Sequence, residues 1–337
     1  MTVINTSELA RKLGLTRVTV SRAINNDPRV ASKTREKVVS AMREYCMEPS
    51  AIARALVRGR TRTIGMMIGT DLGGDYFNEL LVGLAPELEA REFTLLMGVA
   101  RFGPERERME LSAMLARRVE GILSQPLADN RDLYARLIRR DIPVVFVADY
   151  LDLPEAGWVV SDSPADTRLA LTHLLDLGHC RIAYVGPDSP SAQMRSRPKM
   201  YRKVMREAGL AVPETFVFEG LEGGKEDIYQ AVHAMMKQPE PPTAFLAAVD
   251  IIGFYILDQL RRDGWRVPQD VSVIGMGDMA LGRYEMVALT TIGEDRTRMG
   301  RTAAQMLLDR IENKKSDPKQ LFLPGNLIVR RTTGKPK

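Results

Sequence analysis

The sequence predicts a mixed α/β protein: a small all-α helix-turn-helix head at the N-terminus, followed by a two-lobed core of parallel sheets. Three observations predict this. Charge gathers at one end: residues 1–62 hold thirteen Lys or Arg and five Asp or Glu, net +8, whereas the whole 337-residue chain is +5 and the rest is −3. That basic stretch contains three short amphipathic helical patterns. From Thr63 onward, apolar runs of strand length alternate with helical stretches, and the rhythm runs twice, as in two parallel sheets covered by helices. The composition, 45% hydrophobic and 27% charged, is that of a soluble globular protein. No window approaches the ~18 consecutive apolar residues of a membrane-spanning helix.

In the head, Asn5 is placed to cap a first helix, with Glu8 reaching back from three residues on. Leu9 and Leu13 share its inner face, Ala10 allows close approach, and Gly14 supplies the turn. Thr16 caps a second helix, Arg17 to Asn25, in which Val20, Ala23 and Ile24 face inward. A third helix, about Ser32 to Tyr45, carries Val38, Val39 and Met42 as its apolar stripe. A basic helix-turn-helix points to double-stranded DNA, with the N-terminal part of the second helix in the major groove. Arg17 suits guanine O6 and N7, Val18 a thymine methyl, and Arg22 a base or phosphate. Thr16, Thr19, Ser21, Asn25 and Thr34 carry short polar groups suited to phosphates.

After Pro49, the run Ser50 to Gly59 has a capping serine and a terminating glycine. It is too short to be stable alone in water. Its alanines, Ala53 among them, permit close helix approach. Leu56, an apolar residue with no local core, is suited to wedge into a minor-groove step. The alternative is an ordinary interdomain connector.

The core's predicted strands are Ile64–Ile68, Phe93–Gly98, Gly121–Ser124, Pro143–Ala148 and Val159–Val160, then Arg181–Val185, Thr215–Phe218, Thr243–Ala247 and Val271–Met276. Helical patterns fill the gaps, one of them beginning near Pro198. Pro86 should kink the first core helix or mark a false boundary. Open α/β sheets bind ligands beyond the carboxyl ends of their strands. The residues there are Asp71, Gln125, Asp149, Asp162, Asp250 and Asp278, with Tyr76 and Phe77 close by. A polar cleft with a few aromatics is expected to hold a small molecule. Two distant cysteines, Cys46 and Cys180, exclude a disulfide framework and fit a reducing cytoplasm. Three histidines in no ligand spacing give no ground for a metal, and no cofactor is expected. The N-terminus lacks the pattern of a secretory signal, which argues against a transport-type binding protein.

Four segments resemble the bacterial LacI/GalR-type transcriptional repressors, nearly end to end. They are Leu15-Thr16-Arg17-Val18-Thr19-Val20-Ser21-Arg22-Ala23-Ile24-Asn25, Pro49 to Gly65, Leu177-Gly178-His179-Cys180-Arg181-Ile182-Ala183-Tyr184-Val185-Gly186, and Val267-Pro268-Gln269-Asp270-Val271-Ser272-Val273-Ile274-Gly275. The resemblance implies a homodimer on a near-palindromic operator, with a small-molecule effector between two lobes like those of periplasmic sugar-binding proteins. It implies a head at 1–48, a hinge at 49–62 and a core at 63–337. Lobe 1 is then about 63–160 and 293–320, and lobe 2 about 161–292 and 321–337.

This chain departs from the family pattern in the cleft. Val249-Asp250 stands for a usual Asn-Asp, and Gly277-Asp278 for two adjacent Asp. Arg197 stands where the family often has a ligand-binding Arg, and Asp149 is kept. An anionic effector on Arg197, or one with an apolar part against Val249, Tyr76 and Phe77, is therefore expected. The alternative is that Gln125, Ser161 and Gln193 take over sugar binding. In the head, Ala31 replaces a usual Ser cap, leaving Ser32 as a shifted cap. A rival reading, a dinucleotide enzyme using Gly275-Met276-Gly277-Asp278-Met279-Ala280, rests on a single loose GxGxxA match late in the chain.

Overall fold

The computed structural model describes residues 5–24, 27–45, 60–69, 76–127, 130–220, 224–313 and 317–337. The predicted linker helix with Ser50, Ala53 and Leu56, and the predicted contacts Asn25 and Asp71, lie outside the described residues. Two units divide the chain, Met1–Arg62 and Thr63–Lys337.

The head holds α1 (Thr6–Leu13), α2 (Arg17–Ile24) and α3 (Ser32–Glu44). Asn5 Oδ1 accepts the amides of Ser7 and Glu8 at 3.0 Å, and Glu8 Oε2 accepts the Asn5 amide at 2.9 Å. Two orphan amides of α1 are thereby satisfied reciprocally. Gly14 ends α1 at φ +68°, a conformation that costs a residue with a Cβ. Leu9, Ala10, Val20, Ala23, Val30, Val38 and Ala41 close the small core. Two sequence expectations change. Val39 is exposed, because at 100° per residue it cannot share a face with Val38; Ala41, three residues on, does. Ala31, not Ser32, sits at the cap of α3, its carbonyl accepting from Thr34 and Arg35.

The inner strands of the core are short apolar runs buried on both faces, the pattern of parallel sheets covered by helices, and the edge strands are more exposed. The first lobe runs β1 (Thr63–Ile68), α4 (Tyr76–Ala90), β2 (Thr94–Val99), α5 (Pro104–Ala116), β3 (Gly121–Gln125), α6 (Arg131–Ile138), β4 (Val144–Val147) and β5 (Gly157–Ser161). The second runs α7 (Ser163–Asp176), β6 (Ile182–Gly186), α8 (Ala192–Glu207), β7 (Val217–Glu219), α9 (Lys225–Met236), β8 (Ala244–Ala247), α10 (Asp250–Arg262), β9 (Ser272–Met276), α11 (Ala280–Arg283) and β10 (Thr290–Gly293). The chain returns through α12 (Arg296–Glu312) and β11 (Gln320–Leu323) to the first sheet, then β12 (Asn326–Ile328) joins the second. The sheet orders are β11-β5-β4-β3-β1-β2 and β12-β10-β9-β8-β6-β7, parallel throughout except for antiparallel β12. Alternation sorts side chains cleanly: Ile64, Met66 and Ile68 pack under α4 and α12, while Met67 joins Leu111, Ile122 and Tyr134 on the other face.

Pro86 lies inside a single helix, α4, so it marks no boundary. The carbonyl it leaves without a donor is that of Val82, whose side chain is exposed, where water can serve it. Pro198 likewise lies inside α8, which begins at Ala192 rather than at the proline. The expected strand at Thr215 opens instead as a 3₁₀ turn, Glu214–Phe216. The third passage between lobes falls after Leu323, not at about 320, because Gln320–Leu323 pairs with β5.

The Leu177–Gly186 motif gains a physical reason. His179 is buried; its Nδ1 bonds the Thr243 hydroxyl at 2.9 Å and its Nε2 the Gly334 carbonyl at 2.8 Å. Nε2 also lies 3.1 Å from Ser272 Oγ, so the ring ties the C-terminal segment to the starts of β8 and β9, and burial pulls its pKa down.

Candidate nucleic-acid interface and interlobe site

In the head, α2 is held from both ends. The Thr19 amide donates to Thr16 Oγ1 at 3.1 Å, so Thr16 is the cap the sequence indicates. After α2, the Asp27 carboxylate takes three bonds from the Arg29 guanidinium, which holds its carboxyl well below the usual carboxylate range. Val20 and Ala23 face the core, and Arg17, Val18 and Arg22 point outward. Arg22 makes only a loose 3.9 Å pair with Asp27. Thr19, Ser21 and Thr34 are half-buried. Neither α2 nor α3 has an acid in its first turn; α2 begins with Arg17, and α3 has Lys33 and Arg35. A helix N-terminus carries partial positive charge, so cations there are unfavourable by roughly 0.3–1 kcal/mol. Two such ends are tolerated where phosphates supply the missing negative charge.

In the core, the strand order reverses between β1 and β3 and again between β6 and β8. Ligand crevices open at the carboxyl ends of strands at such switch points. Asp149, just after β4 in lobe 1, accepts the Tyr150 amide at 2.8 Å and lies near the Ser191 hydroxyl and the amides of Ala192 and Gln193, at the N-terminus of α8 in lobe 2, which favour its charged form. Burial still pushes its carboxyl up. Arg197 lies one turn beyond Gln193 on the same face of α8. Its Nε donates to Ser163 Oγ at 3.1 Å, its Nη1 donates to the Ala248 carbonyl, and its Nη2 lies 3.6 Å from Glu294 Oε1. Tyr76 is within electrostatic reach of Arg197, Asp149 and Glu294, and burial raises its hydroxyl pKa.

The structure thus brings Tyr76, Asp149 and Arg197 together, with Gln193 one turn before Arg197 on α8, while Val249 packs against the lobe 2 core. Ser161 is buried at the end of β5, and Gln125 is half-buried at the end of β3. Five expectations need correction. Phe77 is 4% exposed and belongs to the lobe 1 core, because helical spacing turns it away from Tyr76's side. Asp250 is sealed: Oδ1 accepts from Thr291 Oγ1 at 2.6 Å and Oδ2 from the Met279 amide at 2.7 Å. Asp278 pairs with Arg283 and Arg330. The space expected at Gly277 is filled by Arg296, whose Nη2 donates to the Gly277 carbonyl. The fork of Arg197 is likewise already engaged. Asp162 caps α7, accepting from the Ala165 amide.

The sequence reading missed Glu294, Arg296, Glu79 and Tyr184. The carboxyl-end rule applied to Thr290–Gly293, which is followed directly by Glu294-Asp295-Arg296, singles out the first two. Glu79 carries no such signal. Among the described residues, Tyr184 Oη and Gln193 Oε1 are buried polar atoms without a hydrogen-bond partner.

Asp166, on α7, also meets the passages between lobes. Its Oδ1 accepts the Gly325 amide at 2.8 Å, while Oδ2 is buried without a partner among the described residues. Burial, with Glu294 and Asp162 adding and Arg197 opposing, pushes its pKa from 3.8 up to about 7. A raised acid binds its proton more tightly when folded, so stability is lost as pH rises from about 4 to 7. Asp166→Asn removes that loss. Its stability relative to the parent chain should climb across this window and level off above it, in urea titrations from pH 4 to 8; a flat difference would contradict the assignment.

Residues 6–50 match the family profile of bacterial regulatory proteins of the lacI family, and residues 171–333 that of the periplasmic binding protein-like domain. The chain is 33% identical over 331 residues to the HTH-type transcriptional repressor PurR of Escherichia coli, covering 96% of this chain and 95% of that protein. The Lac repressor dimer bound to operator and the anti-inducer ONPF superposes with a TM-score of 0.86 at 26% identity, over 99% of this chain and 100% of that one. The regulator CelR in complex with cellobiose gives 0.72 at 27% identity, over 98% and 99%. A basic helix-turn-helix joined to a two-lobed binding core defines a DNA-binding transcriptional regulator. The chain belongs to the LacI family of bacterial regulatory proteins.

Proposed function

We propose that the protein is a repressor that binds a near-palindromic operator as a homodimer, and that a small molecule held between the core lobes switches its operator affinity. The observation that carries the DNA half is α2: an acid-free N-terminus presenting Arg17 and Val18, with Val18 57% exposed. Arg17 reads a guanine in each half-site, Val18 packs on a thymine methyl, and Thr16, Thr19, Ser21, Arg22, Asn25 and Thr34 hold the backbone. Ser50, Ala53 and Leu56 of the linker complete the interface. The head occupies 1–48 and the linker 49–62. The working compartment is the cytoplasm, where DNA lies; among the described residues no helix is long and apolar enough to cross a membrane.

The test is Arg17→Ala. It should cost about 1–3 kcal/mol per lost base contact and relax choice at one position per half-site. Selection from a randomised palindrome pool reads both. An equal loss on every sequence would make Arg17 a phosphate contact.

For the effector half, Tyr76 lies by Arg197 and Asp149, and Gln193 Oε1 and Tyr184 Oη are buried polar atoms without a hydrogen-bond partner among the described residues. A ligand hydroxyl or amide would satisfy them; the similar regulator CelR is seen in complex with cellobiose. An anionic effector must first displace Glu294 from Arg197. Calorimetry with neutral sugars, sugar phosphates and small organic acids separates these, and Arg197→Ala should weaken only the anions. A non-enzymatic role is part of the proposal. The Gly275–Gly277 segment has a structural use instead: a Cβ at Gly275 would meet the Asp250 carboxylate, and the Gly277 carbonyl accepts from Arg296.

A further inference from the structure

Charged side chains line the interlobe face around the effector residues named above. Glu294, between β10 and α12, lies between two buried arginines: Oε1 is 3.6 Å from Arg197 Nη2 and Oε2 is 3.5 Å from Arg296 Nε. Arg296 is 2% exposed. Its Nη1 donates to Glu79 Oε2 at 3.2 Å, its Nη2 donates to the Gly277 carbonyl, and its guanidinium carbon sits 4.5 Å over the Tyr76 ring. The other Glu79 oxygen accepts from Arg283 Nη2 at 3.0 Å. Tyr76 and Glu79 belong to lobe 1, Gly277 and Arg283 to lobe 2. The guanidinium therefore touches both walls of the cleft.

The local sequence makes this placement specific. Gly83 and Gly300 let α4 and α12 cross so closely that a Cβ at either would strike the other helix's backbone. That crossing fixes Glu79 beside Arg296. On the far wall, Gly277 has φ +130°, and a Cβ there would lie 2.9 Å from Arg296 Nη2. A planar cation stacked on an aromatic ring, hydrogen-bonded to a carboxylate on one wall and a carbonyl on the other, makes the contacts a bound small ligand makes.

We propose that Arg296 is a tethered ligand of the interlobe site: it joins the lobes through Glu79 and Gly277, and it is the residue that decides what an effector must displace. The proposal rests on the interlobe reading above and sharpens it. Closure is built into the chain, and an effector acts by competing with Arg296 or by adding to an already closed cleft.

The test is amide hydrogen exchange on the full chain without added ligand. Segments 76–84, 191–197 and 277–284 should be protected. Arg296→Ala should speed exchange there by about tenfold or more, since charge-assisted hydrogen bonds are lost at both walls, while segments of the sheet interiors stay unchanged. Millimolar guanidinium, far below denaturing levels, should restore protection in Arg296→Ala and leave the parent chain unaffected. Unchanged exchange in the variant overturns the proposal, as does loss of protection that guanidinium does not restore. If Arg296→Ala fails to fold, Glu79→Gln, at a half-buried position, decides instead: it must raise exchange at 277–284. Operator selection run alongside keeps the two ideas apart. A parent chain that selects no palindrome fails the repressor reading, whereas the exchange pattern judges Arg296 alone.

Discussion

Gly300→Ala should destabilise the core by about 3 kcal/mol, the upper end for overpacking, and lower its calorimetric melting point by roughly 6–12 °C. The methyl group would fall on the Leu80 carbonyl, and neither helix can yield cheaply. α12 is bound to the sheet through Met299, Ala303 and Leu307, and α4 through Leu80, Leu84 and Leu88. Gly83→Ala should cost a similar amount, because its methyl would fall on the Thr297 carbonyl of the same crossing. Once one methyl has pried the helices apart, the second meets less resistance. The double variant should therefore fall short of the sum. A melting point within 1–2 °C of the parent, about the shift of half a kcal/mol, would mean the helices sit further apart than described.

Operator affinity should collapse with salt. Each Lys or Arg that neutralises a phosphate releases counterions, with a slope of about −0.9 per contact on a log–log plot. A dimer making about six such contacts loses roughly a thousandfold in affinity between 50 and 200 mM salt. The basic head supplies the cations, and the mildly acidic core adds none in net. Fluorescence anisotropy across that range measures the slope. A flat response would remove the head from the interface. Arg22→Ala should reduce the slope by about one per half-site if Arg22 holds a phosphate.

The parts of the fold legible in the sequence share a physical character: they are local. Asn5 with Glu8, Gly14 after Leu13, and Thr16 before Arg17 each act within one turn of helix, so reading along the chain finds them. Buried strands announce themselves because both of their faces are apolar. What stayed hidden depends on residues far apart in sequence. Gly83 and Gly300 are 217 positions apart, and only their meeting explains either one. Gly277 reads as an opened space until Arg296 is seen to fill it. Arg197 reads as a free fork until Ser163, the Ala248 carbonyl and Glu294 are counted around it. Asp250 shows why strand-end carboxylates mislead. The same position that can face a ligand can turn inward to Thr291 and the Met279 amide. The sequence also supplied residue types near the cleft, Asp149 and Arg197 among them, but not which of their atoms remain available.

The three passages between the lobes lie side by side. The Asp162 amide donates to the Leu323 carbonyl at 3.0 Å, the Gly325 amide donates to Asp166, and a Cβ at Gly325 would stand 2.8 Å from the Gly293 carbonyl. One connecting strand would be a leash, free to twist and slide. Three laced together act as a door's row of pins. They forbid shear, resist separation, and leave one easy motion, rotation about the line they share. Whatever a molecule in the cleft does to one wall then emerges as an angle, largest at the ends of the lobes farthest from the pins.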